Sequence, residues 1–305
     1  MELTTKNPIE AHGAEFTFGN WTLDAVNGTF YPYAVKTLLE VSHTPGGSYV
    51  KNFYTADPNF TGPEGIEYAT INASYEPVLP QAYGWMAAGD KTYCIENTMS
   101  AAEQRFNNAT RIVVKGTYYP AEHTTNTGDW FSFGGIPYLN FAALKAAYND
   151  PLAGSGLKEA CVRFYGKVYD YLDAKGESVG HLTEFDDLET TDLGKVTNGG
   201  EVVKEGLTPV IRWYQGGLCY YYNEIRHDNE TDKEMAFAKY GVVRNNWYSV
   251  MVGEVSGPGT PWYPDINNPG PGDPGTTDPI DESTGYLGVT VTVAKWIIWN
   301  KEIVL

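Results

Sequence analysis

Histidine, cysteine and carboxylate side chains are the residues of this 305-residue chain that would serve a catalytic or metal site. No histidine has a second histidine at the spacing that a metal-binding helix or loop requires. The sequence also lacks the HExxH, GxSxG, P-loop and dinucleotide-binding patterns. It therefore predicts no catalytic residue, no metal site and no cofactor. The five isolated histidines are His12, His43, His123, His181 and His227.

The three cysteines are Cys94, Cys161 and Cys219, and no two of them form a C-x-x-C pair. This spacing argues against a zinc ribbon or a thioredoxin-like redox site. Buried free thiols are the favoured interpretation, and a single disulfide in an oxidising compartment is the alternative.

One run of carboxylates suggests a site that binds a cation. Asp186, Asp187 and Glu189 are followed closely by Asp192, and oxygen ligands of this kind suit calcium. However, the run lacks the alternation and the central glycine of an EF-hand loop. The sequence therefore favours a solvated acidic loop within an exposed, turn-rich excursion over residues 178–206.

Consecutive tyrosines at positions 220–222 offer aromatic rings that stack on sugars. Successive side chains of a strand point to opposite faces, so at most two of the three share a face. The default interpretation is that one face joins the core and the other lies on the surface of the sheet.

The composition limits the classes of partner. The formal charge of −17 argues against binding to a nucleic-acid backbone or to an anionic membrane surface. No apolar stretch reaches the length of about 18 residues that a transmembrane helix needs. With 42% hydrophobic and 14% aromatic residues, the chain is also too apolar for wholesale disorder.

Short strands between turn signals dominate the pattern, which predicts an all-β fold with small helical insertions. The first strong strand, 110–119, is rich in β-branched and aromatic residues. Helical spacing appears over 140–148 and 156–174. In the second of these helices, the apolar residues Leu157, Cys161, Phe164, Val168 and Leu172 form one stripe.

The C-terminal segment follows a stretch at 257–279 that is rich in proline and glycine. Val289, Val291 and Val293 alternate with threonines, and beyond Ala294 the segment becomes apolar on both faces. Such a strand promotes aggregation unless something covers it. Two interpretations stay open. It is the last core strand of this chain, or its end leaves to complete the sheet of a neighbouring molecule.

Four segments in this order resemble the fimbrillins of Bacteroidia, the structural subunits of type V pili. They are YCIENT at 93–98, ATRIVVKGTYYP at 109–120, VVRNNWY at 242–248 and VTVTVAKW at 289–296. The likeness is closest to the C-terminal domain of subunits of the short-fimbria type.

This resemblance implies a transthyretin-like Greek-key β-sandwich and a structural, non-enzymatic subunit. It also implies export as a lipoprotein precursor to a fimbrium at the outer membrane, and proteolytic trimming that opens a groove for the C-terminal strand of the next subunit. Carried onto this sequence, the donor strand would run from about Val289 to Leu305. Its site residues would be Val289, Val291, Val293, Trp296, Ile297, Ile298, Trp299, Ile303 and Leu305.

The resemblance also predicts a domain division. Residues 1–41 would be the remnant of an N-terminal β-domain, 42–84 a connector, and 85–305 the C-terminal β-sandwich with its donor arm. The block before the connector is short, and no arginine precedes residue 105 to mark a protease site. The chain is therefore expected to be truncated.

Three hypotheses about function follow. The first is an extracellular fimbrial subunit whose partners are neighbouring copies and accessory subunits. The second is a surface lipoprotein or tip adhesin that binds a glycan or a host protein through exposed aromatic residues. The third is a secreted glycosidase that works through paired carboxylates.

Overall fold

The computed structural model describes thirteen stretches of the chain, from which the fold is built. They are residues 1–24, 31–35, 53–56, 68–70, 84–94, 97, 104–106, 109–204, 208–227, 239–243, 246–265, 270–271 and 286–295. The strands are β1 (Glu2–Glu10), β2 (Glu15–Asp24), β3 (Tyr31–Val35), β4 (Phe53–Ala56), β5 (Tyr68–Thr70), β6 (Arg111–Tyr119), β7 (Trp130–Phe133), β8 (Ile136–Tyr138), β9 (Arg212–Tyr214), β10 (Leu218–Glu224), β11 (Asn246–Val255) and β12 (Leu287–Lys295). The helices are α1 (Phe141–Asn149), α2 (Ser155–Ala174), α3 (Thr190–Leu193) and α4 (Gly199–Lys204), with short 3-10 turns at Phe185–Asp187 and Gln215–Gly217.

Two three-stranded sheets share one hydrophobic core. The first sheet has the order β1-β11-β12 and the second has the order β10-β6-β2. Leu3, Val250 and Val291 from the first sheet lie in the same buried cluster as Trp21 and Ile112 from the second. This is a β-sandwich, and the predicted all-β class with small helical insertions is confirmed.

Strand β6 is the centre of the second sheet and pairs antiparallel with both β2 and β10. Its run Ile112, Val113 and Val114 is fully buried, so both faces of this strand are covered. A continuous run of β-branched residues is typical of a strand that is buried on both faces.

A second hydrophobic cluster is formed by residues 131–213, which lie in the sequence between strands β6 and β10 of the sandwich. A small sheet with the order β8-β7-β9 supplies Phe131 and Trp213, whose rings stack with centroids 5.9 Å apart. The predicted apolar stripe of α2 is buried against them, with Phe164 5.6 Å from Trp213. The helical insertion is therefore a compact unit with a core of its own.

The prediction that residues 178–206 form an exposed excursion is wrong for the apolar residues of this segment, because they are buried. Leu182, Phe185, Leu188, Leu193, Val196 and Val203 are buried in this second cluster. The segment forms a 3-10 turn and the short helices α3 and α4, and its buried apolar residues lie three to seven positions apart. Because short helices with many carboxylates show little average hydrophobicity, composition alone suggests a solvated loop.

The first 24 residues belong to both sheets of the sandwich. Strand β1 pairs parallel with β11, with Leu3 opposite Val250. Strand β2 pairs antiparallel with β6, with Trp21 opposite Val114. Residue 41, the predicted end of the first domain, lies outside the described residues, and the domain division stays a prediction.

Strands β3, β4 and β5 form a further small antiparallel sheet with β3 at its centre. Among the helices that the structure describes, none is both long and apolar enough to cross a membrane.

Candidate functional site

The predicted donor segment begins in β12, which pairs antiparallel with β11. Val289, Val291 and Val293 lie opposite Val252, Val250 and Tyr248, respectively. The Val-Thr alternation favours a strand with one buried face, and β11 presents the matching buried residues. These three partners on β11, Tyr248, Val250 and Val252, are all buried.

Burial along β12 follows the alternation that the sequence predicts. Val291 is 7% exposed, and Val289 and Val293 are partly buried and pack on the core of the sandwich. Thr290 and Thr292 are exposed on the opposite face. These three valines therefore contribute to this chain's own core.

Beyond Lys295 the donor prediction leaves the described residues. This applies to Trp296, Ile297, Ile298, Trp299, Ile303 and Leu305. The assignment of all nine donor residues stays a prediction.

The four outer strands of the two sheets have different surroundings. Trp21 of β2 exchanges two backbone hydrogen bonds with Met86, at 2.8 and 2.9 Å, and Tyr220 of β10 does the same with Thr260. On β1, the carbonyl of Leu3 accepts from the N–H of Gly89 at 2.7 Å. Strand β12 is the last strand of its sheet, and β11 is its one neighbour among the described strands. Edge strands are where additional strands can pair.

The described histidines are held individually in the fold. His12 Nε2 lies 2.6 Å from a carboxylate oxygen of Glu254, and both side chains are about half exposed. His123 is buried beside the ring of Tyr119, and its Nδ1 accepts from the backbone N–H of Asn126 at 3.1 Å. Within the described residues, no three histidine, cysteine or carboxylate side chains gather where a metal would bind.

The carboxylates of the acidic run serve as helix caps. Asp187 accepts from the Thr183 hydroxyl, and also from the backbone N–H groups of Thr183 and Glu184 at 2.8 and 3.0 Å. These hydrogen bonds, that of the hydroxyl first, lower the pKa of Asp187. Asp192 is buried, accepts from the N–H of Glu189 at 3.0 Å, and lies 3.3 Å from His181. A carboxylate at a helix start accepts otherwise unpaired N–H groups. The structure thus gives these residues a local folding role.

The buried cysteines are free thiols in the structure. Cys161 lies in the core of the helical insertion, and Cys219 lies in the core of the sandwich. Burial raises the pKa of each thiol to about 12, because the thiolate is poorly solvated there. Two such protonated thiols are poor nucleophiles.

The C-terminal part of the chain is similar to one known protein family. Residues 212–302 match the family described as major fimbrial subunit protein type IV, fimbrillin, C-terminal. The match begins at β9, spans β10, β11 and β12, and covers less than a third of the chain. No curated protein matches the chain.

The fimbrillin resemblance predicted from the sequence is thereby confirmed for this region. Fimbrillins are structural subunits of pili, so the match supports a fimbrial, cell-surface role in which subunits polymerise. The matched region contains most of the predicted donor segment.

Proposed function

We propose that this chain is a structural subunit of a cell-surface fimbria that polymerises by adding its C-terminal segment to a sheet of the next subunit. The fimbrillin match over residues 212–302 carries this proposal. Its partners would be further copies of the chain and accessory subunits. Anchorage at an outer membrane and maturation from a lipoprotein precursor belong to the proposal through the type V pilus resemblance alone.

The position of β12 supports strand addition. This strand ends at Lys295, and ten residues follow it. Those residues include the apolar run Trp296–Trp299 together with Ile303 and Leu305. An extended segment that pairs with a sheet edge gains main-chain hydrogen bonds, and its alternate side chains fill pockets in the partner. The tail has the composition that this mode of binding needs.

Within the predicted donor, we assign different roles to the two halves. Val289, Val291 and Val293 already pack on this chain's core, so withdrawing them would expose apolar surface at about 25 cal/mol per Å². We therefore assign these three valines to anchoring the arm. The apolar residues from Trp296 to Leu305 are assigned to insertion into the neighbour.

Deletion of residues 296–305 from the native full-length subunit tests the proposal. We expect the shortened subunit to keep the thermal midpoint of the parent within about 2 °C, because the anchoring valines remain. We also expect it to form no fibres by electron microscopy and no oligomeric ladder on a gel of unheated samples.

The matched control keeps the tail and changes the exposed face of β12, with Thr290→Ser and Thr292→Ser combined. This variant should assemble like the parent. Fibres formed at the parental yield by the tail-deleted subunit would rule out donation by residues 296–305.

A further inference from the structure

Three aromatic rings from distant parts of the chain meet on the outer face of the sheet β10-β6-β2. The ring centroid of Trp85 lies 6.1 Å from that of Tyr220 and 6.3 Å from that of Tyr263, and the two tyrosine rings are 5.9 Å apart. Lys115 of β6, opposite Tyr220 in the register, places its ammonium group 4.4 Å from the centre of the Trp85 ring. We call these four residues, with Glu201, the aromatic platform.

Backbone contacts fix the position of the rings. Trp85 directly precedes Met86, which is bonded to Trp21 of β2. Tyr220 is bonded through its backbone to Thr260, and this close approach requires Gly259, where a Cβ would lie 2.0 Å from the carbonyl oxygen of Tyr220. A binding surface held by such contacts is formed before any ligand arrives.

Helix α4 brings a carboxylate to the platform. Glu201 accepts from the backbone N–H of Tyr263 at 2.6 Å, and its side chain remains 43% exposed. The approach depends on Gly200, since a Cβ there would lie 1.9 Å from the carbonyl oxygen of Pro261. Burial, followed by the charge of Glu201, raises the pKa of Tyr220, as expected when the carboxylate lies near the phenol.

The platform combines apolar faces with hydrogen-bonding groups that have capacity to spare. Trp85 is 41% exposed in spite of its ring contacts. Within the described residues, neither the indole N–H of Trp85 nor the hydroxyl of Tyr220 makes a hydrogen bond. Glu201 adds an accepting carboxylate, and Lys115 adds a donating ammonium group.

A saccharide ring has the matching chemistry. One face of many pyranose rings presents C–H groups that pack on an aromatic face, while the hydroxyls donate and accept at the rim. Glu201 also lies 3.8 Å from the ammonium group of Lys204. The chain carries a charge of −17 overall, which disfavours an anionic sugar. A stable protein interface needs roughly 800 Å² from each partner, more than one partly exposed tryptophan and two half-buried tyrosines supply.

We propose that the aromatic platform of Trp85, Lys115, Glu201, Tyr220 and Tyr263 binds a neutral saccharide by stacking a pyranose ring on the aromatic side chains. This proposal is independent of polymerisation. A subunit that fails to assemble could still bind sugar, and one that assembles could lack a sugar site.

The test uses the full chain and three neutral sugars, namely lactose, N-acetyllactosamine and cellobiose, in calorimetric titration and saturation-transfer NMR. We expect saturable binding of at least one of them with a dissociation constant of about 1 mM, typical of a small exposed site. Trp85→Ala should weaken that binding about ten-fold or more, as loss of about 1.4 kcal/mol requires. Tyr220→Phe, which keeps the ring and removes the hydroxyl, should weaken it less.

Tyr93→Ala is the matched control, because Tyr93 is 82% exposed and lies outside the platform. It should bind sugar like the parent, and all variants should share the parental far-UV circular dichroism and melting temperature. Lack of saturation by all three sugars up to about 50 mM, or equal affinity of Trp85→Ala and the parent, overturns the proposal. If Trp85→Ala instead changes self-association while the parent binds no sugar, the platform is a subunit contact and the saccharide proposal fails.

Discussion

The two sheets of the sandwich face the same core but differ in how their other sides are closed. In β10-β6-β2 part of the outer face is covered as well, since Val113, Arg111 and Glu224 are all buried there, while the aromatic platform on the same face stays partly exposed. In β1-β11-β12 the outer face is open, with Thr290 and Met251 exposed. Described residues thus cover part of the outer face of β10-β6-β2, whereas β1-β11-β12 keeps a solvent-facing side and has β12 at its edge.

This difference separates residues that hold the subunit together from residues that are free to serve assembly. A sheet covered on both faces is sensitive to any polar change, because a buried charge without a partner costs several kcal/mol. A sheet with one exposed face tolerates polar residues there and leaves an edge at which another strand can add. Substitutions at equivalent positions in the two sheets test this interpretation.

The largest contrast is expected for a charge on the outer faces. Val113→Asp should destabilise the chain by about 4 kcal/mol or more, or prevent folding, since it buries a carboxylate on the covered face. Thr290→Asp, on the exposed face of β12, should cost less than about 1 kcal/mol. Urea unfolding monitored by tryptophan fluorescence measures both changes. Similar losses in the two variants would contradict the contrast.

The second contrast concerns pH. Glu224 is buried, its Oε1 accepts no hydrogen bond within the described residues, and burial raises its pKa to about 7 despite the nearby charges of Arg111 and Arg226. Because the folded protein holds this proton more tightly than the unfolded chain, the stabilisation is complete below about pH 4.5 and is lost as the pH rises through about 7.

Glu224→Gln should therefore remove that pH dependence and raise the unfolding free energy at pH 8 by up to about 3 kcal/mol, at about 1.4 kcal/mol per pKa unit. Glu10→Gln is the control in the other sheet, since Glu10 of β1 is exposed. Thermal melts of the three proteins between pH 5 and pH 8 provide the comparison. If the stability of Glu224→Gln depends on pH as steeply as that of the wild type, Glu224 is not the source of the pH dependence.

The smallest contrast lies within the open sheet. Val250 of the central strand β11 and Val291 of the edge strand β12 face each other in the register and lie in the same core. Val250→Ala should cost about 2–3 kcal/mol, and Val291→Ala about 1–2 kcal/mol, because an edge site relaxes more easily around a lost methyl group. Chemical denaturation of both variants measures the order. A larger loss of stability for Val291→Ala than for Val250→Ala would contradict this order. It would mean that Val291 contributes more to the core than its 7% exposure indicates.

Periodic patterns predicted the parts of the fold in which the spacing of apolar residues indicates which side chains are buried. The alternation of Val289 to Val293 predicted which side chains of β12 are buried, and the stripe from Leu157 to Leu172 predicted the buried face of α2. The prediction of an exposed excursion at 178–206 was wrong because the apolar residues of this segment are separated by carboxylates that cap short helices, as Asp187 and Asp192 do. Composition does not reveal capping, since a cap depends on backbone geometry.

The aromatic platform shows a different limit of sequence interpretation. The tyrosine run at 220–222 predicted one exposed and one buried face, and the structure buries Tyr221 in the core while Tyr220 lies on the outer face. Nothing in the spacing of Trp85, Tyr220 and Tyr263 indicated that these rings meet. The glycines at 200 and 259 that permit the approach resemble, in the sequence alone, ordinary turn glycines.

The sequence by itself determined the β-rich class, the main helices, the buried face of β12, and the resemblance to fimbrillins. These features are local, because strand and helix periodicity are set by backbone geometry and recur every few residues. Only the tertiary structure decided that β1 joins β11, that Val113 on the outer face of one sheet is buried, and that Trp85 reaches Tyr220. Those facts depend on which distant surfaces bury each other, and many pairings of the same short strands satisfy the local pattern equally well.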